Sequence, residues 1–297
     1  MRPVRRVKRA ERLDGLRVGV AQVRPAIGDV AANLRLAARH LRNAARRGAV
    51  LVVFPECFLQ GYRLGSHPGR VAEPASGPNA RAAAGLARLA ARHRVAIVAG
   101  FIEAEPARPP GGAAARPFNS ALVVDRDGRL AGVYRKTHLF GRERDAFTAG
   151  ADYPVHELYL LDGEPAVRLG VCICYDIEFP EVPRILALRG AELLAVPSAD
   201  MDPYRAQQAS QLVARAIENG FHVALANTVD RRPGAHFFGG SGIADPLGKL
   251  VSAGYDRPRL AVAALSAAAI RASGGPEGYL SARRPETYGD LLRSARP

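Results

Sequence analysis

The sequence predicts an α/β fold built from two packed sheets covered by helices. Three observations carry this. Apolar strand runs alternate with amphipathic helix patterns along the chain. Two hairpin signals interrupt that alternation, so the sheets must be mixed rather than purely parallel. The 297 residues are 48% hydrophobic, enough for a large buried core, and no compositional break separates two cores.

In chain order, Leu16 to Val23 reads as a strand. Asp29 to Arg47 reads as a helix with Val30, Leu34, Ala37 and Leu41 on one face. Val50 to Phe54 is a continuous apolar run, as expected of a central strand, and Pro55 ends it. A helix around Asn79–Arg92 and a strand at Val95–Ile102 follow. Pro106 to Pro117 is rich in Pro, Gly and Ala and lies between strand-like runs, so it reads as a long surface loop. Phe118–Val124 and Leu130–Tyr134 flank Asp125-Arg126-Asp127-Gly128, a hairpin signal. Residues 169–173 form another buried strand. Then come a helix pattern (Val182, Ile185, Leu186, Leu188), a strand at Leu193–Val196, and a helix over Arg205–Asn219 with Ala209, Leu212, Val213 and Ala216 inward. A strand at Val223–Asn227 and a second hairpin around Asp245-Pro246-Leu247-Gly248 complete the pattern.

The formal charge is +14, which raises the possibility of a nucleic-acid or other basic binding protein. The arginines, however, are spread over helix faces, as at Arg35, Arg39, Arg42, Arg46 and Arg47. No aromatic-studded strand accompanies them, as base stacking would require. The densest cluster, Arg2, Arg5, Arg6, Lys8, Arg9 and Arg12, lacks the apolar core of a secretory signal and any spanning run. Residues 1–15 are therefore expected to be a basic, solvated tail, and 16–297 a single domain. Three cysteines, Cys57, Cys172 and Cys174, give no disulfide framework and point to a reducing, cytoplasmic setting. Cys172 and Cys174 are two apart on a strand and are expected to share a face. With no nearby Cys or His partner they make a poor zinc site.

Cys174 carries the most information. It ends an apolar strand, where the chain turns polar (Tyr175-Asp176-Ile177-Glu178-Phe179-Pro180-Glu181) before a helix pattern. Backbone N–H groups at such a turn can favour a thiolate and later hold an oxyanion. Position alone favours burial as a small hydrophobe. Two distant segments overturn that preference. Pro55 ends a central strand and sets the Glu56 carboxylate at its tip, where apolar surroundings would raise its pKa and suit it to general-base work. Lys136 follows the strand Leu130–Tyr134 in a chain with only three lysines among 42 basic residues, which suggests a position that needs a compact ammonium.

Together these segments resemble the nitrilase superfamily of carbon–nitrogen hydrolases. The resemblance rests on Phe54-Pro55-Glu56, Tyr134-Arg135-Lys136-Thr137-His138-Leu139-Phe140 and Cys174-Tyr175-Asp176-Ile177-Glu178-Phe179-Pro180-Glu181. Gly19-Val20-Ala21-Gln22, Arg215-Ala216-Ile217-Glu218-Asn219, Ala226-Asn227, Gly240-Ser241-Gly242-Ile243-Ala244-Asp245-Pro246 with Gly248, and Arg284-Pro285-Glu286 with Tyr288 extend it from about residue 16 to about 290. It implies an α-β-β-α sandwich of mixed sheets whose subunits pair through helical faces. It also implies a Glu56–Lys136–Cys174 triad, with oxyanion stabilisation by Lys136 and the backbone N–H of Tyr175. A second glutamate at the spacing of Glu143 would hold the lysine and border the substrate; Glu143 could equally be a surface partner of Arg142 or Arg144. Tyr62 is expected to line the pocket, His138 to hydrogen-bond behind the lysine, and Asp176 and Glu181 to fix the turn and helix start. Cys57 is expected to be inert.

Within the family, true nitrilases usually place Trp-Glu after the nucleophile. Here Tyr175-Asp176 follows, and there is no tryptophan anywhere. The Asn-Asp-Arg-Arg of the D-carbamoylases is also absent. The resemblance is therefore to the amidase branch, acting on small aliphatic or amino-acid amides without cofactor or metal. An N-carbamoyl amino acid amidohydrolase or a nitrilase is the alternative, and a catalytically silent scaffold or basic binding protein the non-enzyme one. A homodimer or larger homo-oligomer, built through the helix after Cys174, is expected, with no specific nucleic acid or membrane partner.

Overall fold

The structure is a computed structural model that describes residues 11–62, 68–105, 116–164, 166–274 and 277–293. The strands are β1 (Arg17–Gln22), β2 (Ala49–Val53), β3 (Ala96–Glu103), β4 (Phe118–Val124), β5 (Leu130–Arg135), β6 (Val155–Leu158), β7 (Val167–Val171), β8 (Leu193–Ser198), β9 (His222–Asn227), β10 (Val229–Arg232), β11 (Ala235–Phe238), β12 (Gly242–Ala244), β13 (Leu250–Ser252) and β14 (Arg259–Ala264). The helices are α1 (Val30–Arg46), α2 (Arg81–His93), α3 (Glu143–Ala146), α4 (Glu181–Leu188), α5 (Arg205–Asn219) and α6 (Ala267–Ala272).

Two six-stranded sheets form, in the orders β14-β1-β2-β3-β4-β5 and β13-β12-β9-β8-β7-β6. Both are mixed. In the first, β1, β2 and β3 run parallel and the outer pairings are antiparallel. In the second, β7, β8 and β9 run parallel between antiparallel neighbours. The two sheets thus share one pairing pattern, although the sequence shows no internal repeat.

Strand alternation sorts the apolar residues into three layers. Val18, Val20, Leu51, Val53, Val98 and Val123 of the first sheet meet Leu169, Val171, Leu193, Ala195 and Ala224 of the second between the sheets. The opposite face of the first sheet, including Val52, Ile97 and Leu122, packs on Ala37, Leu41 and Ala44 of α1 and Leu86 and Ala90 of α2. The outer face of the second, including Leu194, Val196 and Val223, packs on Val182 and Leu186 of α4 and Leu212 and Ala216 of α5. This is the expected α-β-β-α sandwich. Asp29 caps α1 by accepting from Ala32 N at 2.8 Å, and Gly220, at φ 62°, ends α5. Gly85 lets α2 approach α1, since a Cβ there would stand 2.5 Å from Leu34 Cδ1.

Several expectations need correction. Strand β6, the β10–β11 hairpin, β14 and α6 were not expected; β6 and β10 are four residues each, too short for a periodicity to show. Of the expected tail, residues 1–10 lie outside the described residues, but residues 11–15 belong with the domain. Leu13 is buried among the inter-sheet core, and Arg12 Nη2 pairs with Glu192 at 2.9 Å. On α5, Ala209 and Val213 are only partly buried, and Gln208, Arg215 and Asn219 are buried instead. Gln208 and Arg215 donate to the Gly239 and Ile177 carbonyls outside the helix and so position those segments, whereas Asn219 donates to Arg215 O within it. Cys172 and Cys174 do not share a face. Cys172 packs with Ile177, Val182 and Leu186 under α4, whereas Cys174 joins the inter-sheet core, because the strand has ended at Val171 and Cys174 takes φ 49°. The Pro106–Pro117 loop lies outside the described residues but for Arg116 and Pro117. No helix among the described residues is long and apolar enough to cross a membrane.

Candidate functional site

The site forms beyond the carboxyl ends of the central parallel strands, where an open α/β sheet leaves a crevice. Glu56 follows β2, Lys136 follows β5, Cys174 follows β7 and Asp200 follows β8. The backbone N–H of Glu56 donates to the Ser198 carbonyl, 3.3 Å away, tying the end of one sheet to the end of the other.

Lys136 is the centre of the constellation. Its side chain is fully buried, with Nζ 2.7 Å from Glu56 Oε1 and 2.8 Å from Glu143 Oε2. Glu143 is therefore the lysine's partner and not a surface residue. Burial alone would lower the lysine's pKa; the Glu143 and Glu56 carboxylates outweigh it and hold the group well above its ordinary value, as an ammonium. Asn119 donates from Nδ2 to Glu56 Oε1 at 2.7 Å and to Glu143 Oε1 at 3.2 Å. Tyr62 donates its hydroxyl to Glu143 Oε1 at 3.0 Å, and Phe140 its backbone N–H to Oε2 at 2.8 Å. Tyr62 is thus at the site, buried, and engaged in holding Glu143. Sequence reasoning missed Asn119. Its signal is a lone amide opening the apolar run Phe118–Val124, a residue too costly to bury without partners.

Desolvation raises Glu56 to a pKa of about 7, with Lys136 opposing and the Glu143 charge adding to the rise. Its Oε1 is committed to Lys136 and Asn119, whereas Oε2 is buried without a hydrogen-bond partner among the described residues. A carboxylate with one oxygen anchored and the other free, titrating near neutrality, is suited to moving a proton. Gly100 lies directly beneath it: a Cβ there would come within 2.4 Å of Cys57 N and 2.6 Å of Glu56 Cα.

Cys174 opens a short 3-10 helix, Cys174–Glu178, and takes φ 49°, in the left-handed region that side chains disfavour. Asp176 holds this turn. Its Oδ2 accepts from Ile173 N at 2.9 Å and from the Tyr134 hydroxyl at 2.7 Å; its Oδ1 accepts from Thr137 Oγ1 and from His138 N, both at 2.9 Å. His138 Nδ1 lies 3.0 Å from the same oxygen, and its ring stacks on Phe179. Asp176 therefore joins the cysteine turn to the segment after Lys136, and His138 is hydrogen-bonded within that junction. Arg215 fixes the far end of the turn by donating to the Ile177 and Glu178 carbonyls at 2.8 and 2.9 Å. Glu181 is exposed in the first turn of α4. The Tyr175 ring packs edge-on against Phe140 and Phe179.

The Cys174 thiol donates to Asp200 Oδ1 at 3.4 Å, a second residue the sequence did not single out. Burial raises the thiol's pKa well above the ordinary value; Asp200 and Glu56 raise it further, and Lys136 opposes. Glu56, Lys136 and Cys174 therefore share one electrostatic environment. All three cysteines are buried, Cys174 least so, at 9% exposure against 1% for Cys57 and 0% for Cys172. Cys57 donates to Asn119 Oδ1 at 3.5 Å and orients that amide. The Gln22, Asn227 and Ser241 motifs prove to be a lock beneath the site: Gln22 Oε1 accepts from Ser241 N, Ser241 Oγ accepts from Asn227 N, and Asn227 Oδ1 accepts from Asp200 N at 2.8 Å. Among the described residues, no group of three or more His, Cys, Asp and Glu side chains is arranged to hold a metal ion.

Known proteins resemble this chain in sequence and in fold. The family described as carbon–nitrogen hydrolase matches residues 17–273. A Pseudomonas protegens protein named "Hydrolase in pqqF 5'region" is 40% identical, with 94% of this chain and 92% of that protein covered. An (R)-stereoselective amidase from a Pseudomonas species is 35% identical, covering 91% and 92%. A solved amidase from Nesterenkonia sp. superposes with a TM-score of 0.77 at 29% identity, covering 94% of this chain and 97% of that one. In a mutant form of that amidase, the acetamide moiety of fluoroacetamide is covalently added at the active-site cysteine. With a match of this extent and a sandwich of the same architecture, the chain belongs to the carbon–nitrogen hydrolase family, within the nitrilase superfamily that includes these amidases.

Proposed function

We propose that the chain is a cysteine-dependent amidase that converts small aliphatic or amino-acid amides to carboxylate and ammonia through a thioester. One observation carries this reading: the buried Lys136 ammonium, clamped between Glu56 and Glu143, in the same environment as the Cys174 thiol, on which the Glu56 and Lys136 charges both act. The site supplies a base, a fixed cation and a nucleophile, the three components that acyl transfer requires.

The thiol's raised pKa means that it must be deprotonated by a neighbour as it attacks. Its proton passes to Glu56 Oε2 while sulfur bonds to the amide carbonyl carbon and the carbonyl π electrons move to oxygen. Lys136 and the backbone N–H of Tyr175 stabilise that oxyanion. As the intermediate collapses, the C–N bond breaks and the nitrogen takes the proton from Glu56, leaving as ammonia. Water then gives a proton to Glu56 and adds to the thioester; the C–S bond breaks and the thiolate recovers the proton. Glu143, Asn119 and Tyr62 are positioning residues, which hold Lys136 and Glu56 without touching the substrate's reacting atoms.

A screen for ammonia release over amides, nitriles and N-carbamoyl amino acids tests the proposal. An amide should have the highest kcat/KM, iodoacetamide should label Cys174 in step with inactivation, and Cys174→Ala should lose turnover. A nitrile or an N-carbamoyl compound as best substrate would overturn the amidase assignment. Labelling at Cys57 or Cys172 with an active Cys174→Ala enzyme would overturn the nucleophile.

A further inference from the structure

Asp200 does not serve the chemistry just described, yet its carboxylate accepts a hydrogen bond from the nucleophile. Its Oδ1 lies 3.4 Å from Cys174 Sγ. Its backbone is clamped on both sides by one amide: Asp200 N donates to Asn227 Oδ1 at 2.8 Å, and Asn227 Nδ2 donates to the Asp200 carbonyl at 3.1 Å. The main chain is thus fixed by other groups, and the side chain faces the thiol, with the Ser198 side chain beside it. Asp200 as a residue is only partly buried, and its carboxylate stands beside the thiol that a substrate must reach. Among the described residues no arginine, lysine or histidine forms an ion pair with it; the nearby ammonium, Lys136, is already held by Glu56 and Glu143.

The charge balance around the thiol is anomalous for this chain. The protein as a whole carries +14, yet its site sets one ammonium against Glu56, Glu143 and Asp200, with Glu178 close enough for the Asp200 charge to act on it. A part-buried carboxylate with no cation paired to it is stabilised when a cation arrives. Negative surplus at the nucleophile also opposes an approaching substrate carboxylate.

The distances define which cation fits. For attack, the carbonyl carbon must come within roughly 3–3.5 Å of sulfur. An ammonium on the carbon next to the carbonyl lies only about 2.5 Å from the carbonyl carbon, by covalent geometry. A charge-assisted contact to the carboxylate spans about 2.8 Å. With Sγ and Oδ1 3.4 Å apart, these distances close into a quadrilateral, and one more methylene is accommodated by torsion.

We propose that Asp200 is a specificity-determining residue that receives a substrate ammonium, so that amides with a protonated amine α or β to the carbonyl are preferred over neutral amides of the same size. This rests on the amidase reading above and narrows it. The contact has a consequence for the nucleophile. Asp200 is, after burial itself, the largest influence holding the thiol protonated. A substrate ammonium that takes over the carboxylate removes the thiol's hydrogen-bond acceptor and offsets its charge, leaving the proton free to pass to Glu56.

The test compares isosteric pairs: glycinamide against propionamide, and β-alaninamide against butyramide. In the native enzyme kcat/KM should favour the ammonium member of at least one pair by about 10-fold or more, and in Asp200→Asn that ratio should fall by on the order of 10–100-fold. A native ratio near one, or a ratio unchanged in the variant, would overturn the proposal. A second measurement needs neither turnover nor the variant: alkylation of Cys174 by iodoacetamide in the native protein, with propylammonium or propanol added. Slowing by the cation beyond that by the alcohol supports the ammonium site, and equal slowing overturns it. If no amide is hydrolysed while another substrate class is, the amidase reading fails, and the alkylation experiment still decides the role of Asp200.

Discussion

Replacing Glu143 by glutamine tests whether the site is a coupled charge cluster. Four donors converge on the two oxygens of Glu143: Tyr62 and Asn119 on Oε1, Lys136 and Phe140 on Oε2. Glutamine offers one acceptor oxygen and turns an NH2 group toward the remaining donors, so Lys136 loses part of its clamp and kcat should fall by about 10²–10³-fold. The more diagnostic effect is on Glu56. Because both carboxylates contact the same Nζ, at 2.7 and 2.8 Å, their charges lie close together. At roughly 5 Å and an effective dielectric of about 20, their repulsion is about 3 kcal/mol, an upper limit of about 2 pH units. Glu56, raised to about 7 in part by this repulsion, should drop when it is removed. The acid limb of the kcat/KM profile should therefore sit near 7 in the native enzyme and move down by on the order of 1–2 units in Glu143→Gln. Because the groups are coupled, the limb reports the cluster as a whole. Should residual turnover be too low, titration of the Glu56 carboxyl by 13C NMR gives the same comparison. An acid limb that stays in place or rises would refute the coupling.

Three further outcomes follow. Gly100→Ala should lower activity at least 10-fold and destabilise by about 1–3 kcal/mol, read by kinetics and denaturant melts, because the new methyl meets backbone atoms of Pro55, Glu56 and Cys57 that cannot yield. Asp176→Asn should destabilise by about 3 kcal/mol or more in a denaturant melt and slow Cys174 alkylation, since four donors to its two oxygens come from segments around both Cys174 and Lys136. We also propose a homodimer through α4, whose Leu188 is 50% exposed beyond the buried Val182 and Leu186; Leu188→Lys should shift the sedimentation coefficient toward the monomer, and an unchanged coefficient would place the interface elsewhere.

Much of this was legible because the catalytic candidates stand at strand ends, where an apolar run stops and a polar residue begins. Glu56, Lys136 and Cys174 each have that local signature, and the strand pattern around them needs only nearest neighbours to be recognised. Glu143 was ambiguous because its burial is created by β4 and by Tyr62, which approach from elsewhere in the chain. Asn119 and Asp200 were missed for a related reason. An asparagine in a strand and an aspartate after one are ordinary in sequence, and only the pairing of β4 with β5, and of β7 with β8, brings them to Lys136 and Cys174. The shared face assigned to Cys172 and Cys174 failed because alternation presumes continuing β geometry, which the positive φ at Cys174 breaks. The short strands β6 and β10 and the packed residues 11–15 owe their structure to neighbours rather than to any internal period.

The burial that tunes Glu56 must also weaken the fold, and the sign of this effect can be tested. In the unfolded chain the carboxyl titrates near 4.5; in the folded protein it titrates at about 7. Between those values the folded state binds more protons than the unfolded state, so from this group stability is fully present below about 4.5 and is lost as pH rises through 7. A shift of this size corresponds to a loss on the order of 3 kcal/mol, since each pH unit is worth about 1.4 kcal/mol. Glu56→Gln removes the titration while preserving the geometry that matters for packing: one side-chain oxygen still accepts from Lys136 and Asn119, and the other position, which had no partner, becomes the NH2 group. The variant should be inactive, and its Tm relative to the native protein should rise between about pH 5 and pH 7 and level off above that. That trend separates two accounts of the constellation. If the buried cluster were retained for stability, as an ion pair holding the two sheets together, removing the Glu56 charge would cost more as that charge develops, and the Tm difference would fall with pH. If it is retained for catalysis, the folded protein holds a carboxylate in surroundings that oppose its ionisation, and the neutral substitute gains where the native group must ionise.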